Sequence, residues 1–453
     1  MTKILQFASQ FPAVPMARFA ARWNRALTRL IPVSLGLAIA PAAMGQALPA
    51  AEAAPISTGF SLPRAAGTLN YAVSGSESLS WGYYGSQGAA TATNLTGDLG
   101  FISNSRQDPF SIVFSGGRSW STSDEPAYSF ANLALSQVLA FGRWHFVASD
   151  SVSYLPGTPS TGLSGVPGAG DVGVNPVQVG VDTGQGVLTN YSTRISNTAA
   201  VSLQRQLTAK TSLNASGAYN ILTFVNTPAG SNNEGLNSSS ENGGGGLTHQ
   251  FDARNSMAGN YIYSSFNYGV GVPGFVSQTA SATYTHQFTR KFSMNVSAGP
   301  QWTSVNSSGG GTALSVFANA AAIYSGQFSR ISLSYVHSTN AGSGVASGAL
   351  SDSVSLTANR IYARVWNCAV TTSYARNANL PTSGVAAYSF DTEIASLQVS
   401  RAIVRSLSAY ASYTLENQSS QASTATVDVF SGRSQVFSIG LTYSPSSIHF
   451  GRQ

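Results

Sequence analysis

The chain has 453 residues, of which 9% are Asp, Glu, Lys or Arg and 43% are apolar. A soluble globular domain carries roughly 25% charged residues, so an ordinary cytosolic enzyme fits poorly, and the apolar content excludes a disordered chain. The formal net charge of +6 suggests a nucleic-acid partner, but the placement of that charge removes the suggestion.

Residues 1–45 hold five of the 23 basic residues and none of the 17 acids. Arg18, Arg22, Arg25 and Arg29 form a basic region ahead of the apolar run L30-IPVSLGLAIAPAAMG-45. Ala43-Met44-Gly45 fits a small-x-small cleavage site, with Gly45-Gln46-Ala47 as a nearby alternative. The run is shorter than the ~20 residues of a membrane helix and contains Pro32 and Pro41, which favours a signal peptide over a retained anchor. Without it, 18 basic residues face 17 acids and the net charge is +1. No nucleic-acid partner is then expected. The single cysteine, Cys368, excludes an internal disulfide, and no later stretch is apolar for long enough to form a membrane helix.

Residues 46–66 read as a short periplasmic segment. Beyond them the apolar pattern has period two. K291-FSMNVSAGPQW-302 sets Phe292, Met294, Val296, Ala298, Pro300 and Trp302 on one face, against Ser293, Asn295, Ser297, Gly299 and Gln301. S212-LNASGAYNI-221, W366-NCAVTTSY-374 and S406-LSAYASYTL-415 alternate in the same way, a strand signal with no helical competitor. About 18 strands (16–18) are predicted, starting near residues 68, 91, 109, 128, 144, 193, 211, 238, 256, 276, 291, 312, 331, 348, 364, 386, 406 and 434. Their 12–16 residues exceed the usual strand length and suit a tilted strand crossing a bilayer.

Tight basic turns alternate with long connections rich in Gly, Ser, Asn and Pro. The turns include F141-GRW-144, L207-TAK-210, F251-DARN-255, F288-TRK-291 and R401-AIVR-405. Twelve of the 18 basic residues lie in or beside them, with Asp108 and Asp252 the acids there. Aromatics bracket the strands at both ends. Short turns on one side, long loops on the other and two aromatic girdles describe a transmembrane β-barrel. The basic end is assigned to the periplasm, where it meets anionic headgroups. Unpaired edge groups cost several kcal/mol each in hydrocarbon, so the sheet must close.

The expected fold is all-β: a closed antiparallel transmembrane β-barrel spanning 67–445, with 446–453 as a periplasmic tail. The mature chain resembles bacterial outer-membrane β-barrels of the porin type. The last strand, S434-QVFSIGLTYSP-445, carries the resemblance most sharply. Ser438, Gly440 and Tyr443 match the polar-x-Gly-x-x-aromatic signal that such barrels present to the barrel-assembly machinery. Pro445 departs from it, standing where a second aromatic is usual. The resemblance implies diffusion of small hydrophilic solutes through a water-filled lumen, and outer-membrane lipids as surroundings. It leaves homo-oligomerisation open. It also implies that the third external loop, Pro156–Asn190, narrows the pore and places Asp171 and Asp182 there. About twenty residues before the first strand are too few for the plug of a TonB-dependent transporter, and no passenger precedes an autotransporter barrel.

Asp98 shares parity with Asn94 and Thr96 and is expected to line the pore, as is Glu393. Glu77 and Asp150 fall on the apolar parity, which implies a bulge or a shifted register. The lumen wall is expected to be mainly Ser, Thr and Asn, with a mild cation preference. The repeated T248-HQF-251 and T285-HQF-288 could mark a metal site, but no convergent Cys or carboxylate set accompanies the histidines. His145 and Asp150 have opposite parity and cannot form a base–carboxylate pair, so neither an enzyme nor a cofactor is expected. A polymer-export or structural envelope barrel and a secreted Ser/Gly-rich adhesin are the alternative functions.

Overall fold

The computed structural model describes residues 67–82, 89–105, 108–121, 127–155, 193–225, 236–269, 271–306, 311–342, 347–380, 388–422 and 432–450. The strands in chain order are β1 (Gly67–Trp81), β2 (Ala90–Ser103), β3 (Phe110–Ser121), β4 (Tyr128–Phe141), β5 (Trp144–Leu155) and β6 (Thr193–Gln206). Next come β7 (Thr211–Val225), β8 (Ser238–Gln250), β9 (Asn255–Tyr268), β10 (Phe275–Thr289), β11 (Phe292–Val305) and β12 (Thr312–Ser325). The last are β13 (Ser329–Asn340), β14 (Ala349–Tyr362), β15 (Trp366–Asn379), β16 (Tyr388–Val404), β17 (Leu407–Ala422), β18 (Gly432–Tyr443) and the short β19 (Ile448–Phe450). Each of the 18 long strands begins within two residues of its predicted start.

Each of the 18 long strands pairs antiparallel with the long strands next to it in sequence, and β18 pairs with β1 from Val73↔Tyr443 to Trp81↔Gln435. The sheet is therefore a closed 18-stranded barrel. Part of the segment expected as a periplasmic tail over 446–453 joins the wall. After Ser444–Ser447 the chain rejoins β1 as β19, with Gly67↔Phe450 and Leu69↔Ile448. Thr68 Oγ1 lies 3.1 Å from His449 Nδ1 there. The lower edge of β1, which β18 is too short to cover, is paired in this way.

Side chains alternate between the two faces. Val73, Leu95, Val201, Leu213, Met257, Leu333, Val370, Leu397 and Phe437 stand exposed on the outer face. Ser74, Ser76, Asn94, Thr96, Thr371, Ser412, Ser438 and Thr442, of the opposite parity, are buried inside. An apolar exterior around a polar interior inverts the order of a soluble protein and makes hydrocarbon the matching solvent.

The tight turns gather at one end. Gly142 has φ 62°, and Ala363 and Arg364 have φ 49° and 61°. Gly142 is the first of the two residues between the paired Phe141 and Trp144, where positive φ suits a type II′ hairpin turn. Ala363 and Arg364 open the three-residue connection between the paired Tyr362 and Trp366. Arg143, Lys210, Arg254, Arg290, Lys291, Arg330, Arg360, Arg364 and Arg405 are all exposed at this end.

Candidate functional site

The interior is a hydrogen-bonded wall of small polar side chains. Ser74 Oγ and Thr442 Oγ1 meet at 2.9 Å across the closing seam. Asn94 donates to Ser78 at 3.1 Å, and Gln301 donates to Ser277 at 2.9 Å. Thr392 donates to Gln418 at 2.8 Å, and Ser334 and Ser355 meet at 2.6 Å. Facing hydroxyls and amides bond one another across strands, while Ser434 Oγ, Ser438 Oγ and Glu416 Oε2 are buried with no hydrogen-bond partner among the described residues.

Asp98 is inward and fully buried, opposite Ala72, and accepts from Ser115 Oγ at 3.2 Å. Glu393 lies elsewhere than expected. It shares parity with Leu397 and faces outward and exposed, with the Asn417 amide donating to it at 3.3 Å. A two-residue period fixes this: Thr392 and Ile394, its buried neighbours, occupy the inward positions. The carboxylate on the inner wall of the next strand is Glu416, 2% exposed. Asp171 and Asp182 lie outside the described residues, as do residues 1–66.

The assembly-signal positions split by face. Ser438 is inward and buried, Gly440 is inward beneath Tyr410, and Tyr443 is outward and half exposed.

Glu77 and Asp150 face outward with no bulge, since the ladder runs unbroken through both. Each carries its own donor: Thr93 Oγ1 at 2.7 Å from Glu77, and Asn197 Nδ2 at 2.7 Å from Asp150. Asp150 borders a shallow groove of about 470 Å³, where Ala148, Ala199 and Gly217 leave room between Leu135, Val201 and Tyr219.

The two rims of the outer face differ. At the loop end His337, Asp352, Arg376 and Asp391 are directly paired across four strands. His337 Nδ1 lies 2.6 Å from Asp352, and Arg376 lies 4.0 Å from Asp391. Tyr335 and Tyr374 donate to Asp352 and Asp391 at 3.0 and 2.8 Å. At the turn end the basic residues meet rings instead. Arg205 lies over Trp144 at 4.9 Å and Arg401 over Trp366 at 5.1 Å.

The repeated THQF motif belongs to this turn end. His249 and His286 contact Phe251 and Phe288 edge-on, with centroids 5.1 and 4.4 Å apart. Their Nδ1 atoms bond Thr211 Oγ1 at 3.0 Å and Asn255 Oδ1 at 2.7 Å. Both are outward packing residues of a hairpin joint. Among the described residues no three His, Cys, Asp or Glu side chains converge on a point.

The sequence did not announce the interior apolar groups. Phe130, Leu222, Phe224, Phe266, Phe275, Phe390, Ile394 and Tyr410 are all buried, on the inward parity. Phe266 and Phe275 stack with centroids 4.4 Å apart, and Leu380, Tyr268, Val305 and Ala341 pack around them.

Antiparallel pairing between all neighbouring long strands, ring closure and an apolar exterior define the protein as a transmembrane β-barrel. No protein-family model matches the chain, and no curated protein matches it. Solved structures similar to it include Pseudomonas aeruginosa OpdQ, with a TM-score of 0.40 and 9% identity over 85% of this chain and 99% of that one. Acinetobacter baumannii OccAB3 gives 0.41 and 7% over 84% and 99%, and Pseudomonas aeruginosa OpdK with vanillate gives 0.41 and 8% over 84% and 99%. The class rests on the ladder of this chain itself.

Proposed function

We propose that the protein is a porin-like channel of a bacterial outer membrane, exported by its N-terminal signal, through which small hydrophilic solutes diffuse passively. The observation that carries this reading is the inversion of polarity: a closed wall, apolar outside, with hydroxyl and amide side chains inside. Such an interior offers a solute replacements for its water without strong fixed charge. The loop-end row of His337, Asp352, Arg376 and Asp391 suits the headgroup level of one leaflet, and the exposed arginines of the turn end suit anionic headgroups of the other. Outer-membrane lipids and the barrel-assembly machinery are the partners this reading requires. Planar-bilayer recording of the refolded chain is the test. Discrete conductance steps in KCl support it, and silence from a barrel that still shows heat-modifiable mobility sinks it.

One observation favours a second reading, a structural envelope barrel. Ser434 and Ser438 are 0% exposed and Gln418 is 1% exposed. A wall packed that tightly leaves little free lumen beside it. The same recording decides between the two.

A further inference from the structure

Strands β12 and β13 part before they reach the loop end. Their ladder runs from Ser325↔Arg330 to Ala318↔His337 and stops. Beyond it, Thr312–Phe317 stays paired with β11, and Ser338–Asn340 stays paired with β14. Among the described residues neither segment has a ladder partner in the other. The wall is thus split for six residues of β12. On the outer lip Leu314 and Val316 are 68% and 60% exposed, two of the three most exposed large apolar side chains of the described chain.

The end of β13 bends toward the interior. Thr339 donates to Gln301 Oε1 of β11 at 3.2 Å and lies 3.5 Å from Thr303 Oγ1. Ser315 of β12 reaches the same Gln301 oxygen at 3.5 Å. Gln301, 4% exposed, therefore spans the split from inside and ties both lips to β10 through Ser277. Behind it Ala341 packs on the Phe266, Phe275 and Leu380 cluster, and Tyr268 donates to the Ala341 carbonyl at 3.0 Å.

The level of the split identifies what it serves. Leu314 is paired with Trp302, which belongs to the loop-end aromatic girdle. Girdles mark the boundary between hydrocarbon and headgroups, where water still satisfies free backbone groups. Amphipathic molecules concentrate at that boundary. A route with apolar lips, an amide latch and an aromatic cluster behind it matches their chemistry in order.

We propose that the split between β12 and β13 is a lateral portal through which amphipathic molecules pass from the membrane interface into the barrel, with Gln301 as its latch. The proposal rests on the channel reading, and the test separates the two. In a Cys368→Ala background, Ser315→Cys and Thr339→Cys are bridged by a short bis(methanethiosulfonate) reagent, which forms a reducible disulfide with each thiol and releases methanesulfinate. The protein is placed in vesicles loaded with serum albumin, and entry of 1-anilinonaphthalene-8-sulfonate is followed by its fluorescence on albumin. KCl conductance is recorded on the same preparation. Bridging is expected to slow dye entry severalfold, and reduction to restore it, while conductance changes by less than half. Gln301→Ala without a bridge is expected to speed dye entry. Dye entry that ignores the bridge, or that falls in step with conductance, overturns the portal. So does bridging between chains instead of within one, which would make the split a pairing edge for a second copy. Conductance that is absent while dye entry remains bridge-sensitive overturns the channel reading and leaves the portal standing. Absence of both overturns both.

Discussion

Tyr410 and Gly440 face each other across β17 and β18, and the ring of Tyr410 occupies the space a side chain at 440 would need. A Cβ added at Gly440 would sit 2.7 Å from Tyr410 Cε1 and 2.7 Å from both Gly75 O and Ser76 Cβ. The glycine is held between an aromatic ring and the backbone of β1, at the seam where the barrel closes. Gly440→Val is expected to cost about 1–3 kcal/mol by overpacking. Removing the ring in a Tyr410→Ala, Gly440→Val double variant should recover part of the loss, so the two changes should be non-additive. Urea unfolding in lipid vesicles measures both. Additive costs would mean that the seam backbone, and not the ring, sets the demand for glycine.

Trp144 is paired with Arg205, and Trp366 with Arg401, at the turn-end girdle. Both cations sit over the ring face of the tryptophan opposite. Arg205→Ala and Arg401→Ala are each expected to lower stability by about 0.5–1 kcal/mol. Lysine should retain part of that attraction. The unfolding midpoint in vesicles reports it, and equal losses for Ala and Lys would point to stem packing instead of charge.

Much of this fold was legible because a barrel strand writes its two faces into adjacent residues. The alternation through Phe292–Trp302 located β11, and the basic joint at Phe288–Lys291 located the turn before it. What could not be read depends on distant pairing. The alternation of Ile331, Leu333 and Tyr335 ends at Val336, but the polar residues that follow do not signal that β13 leaves β12 after His337. The rejoining of Ile448–Phe450 to β1 likewise requires knowing that β18 stops at Val73. Outward acids such as Asp150 contradict a simple lipid-face rule, and their Asn or Thr donors sit on another strand. The inward phenylalanines were hidden because a lone Phe130 or Phe390 among small polar residues carries no period of its own. Among the named site residues, Asp98 lies buried on the same face as Asn94 and Thr96. No parity argument supported Glu393, which the ladder turns outward.

Asp252 closes the turn after β8 by accepting from the backbone N–H of Arg254 at 2.7 Å, the Asn255 side chain at 2.7 Å and the Asn255 N–H at 3.0 Å. The Arg254 N–H, ahead of the Asn255 side chain, holds its carboxyl below the ordinary value of 3.8. A carboxyl depressed on folding stabilises the folded state above its unfolded value, and that stability is lost as pH falls through the folded value. Asp252→Ala should therefore unfold at a slightly lower temperature than the parent at pH 7. The gap should narrow once the pH drops below 3.8. The group is fully exposed, so the effect is small. Melting of the barrel by heat-modifiable mobility, stepped from pH 7 to pH 2, follows it. A gap that persists unchanged at the acid end would mean the turn depends on the shape of Asp252 and not on its charge.

On the channel reading, Asp98 and Glu393 make a matched pair for testing the charge of the pore, since one faces in and the other out. A carboxylate on the inner wall contributes its field along the permeation path, whereas one on the outer face is separated from it by the sheet and screened by the interface. Asp98→Asn is expected to lower the cation-to-anion permeability ratio about twofold. Glu393→Gln should leave the ratio unchanged, although it loses a partner for Asn417. Asparagine at 98 can still accept from Ser115, so the wall should close as before and single-channel conductance should keep its size. Reversal potentials in a tenfold KCl gradient (approximately 10:1) compare the two variants directly. A shift in Glu393→Gln with none in Asp98→Asn would place the permeation path against the other face of β16 and reverse the assignment of inside and outside.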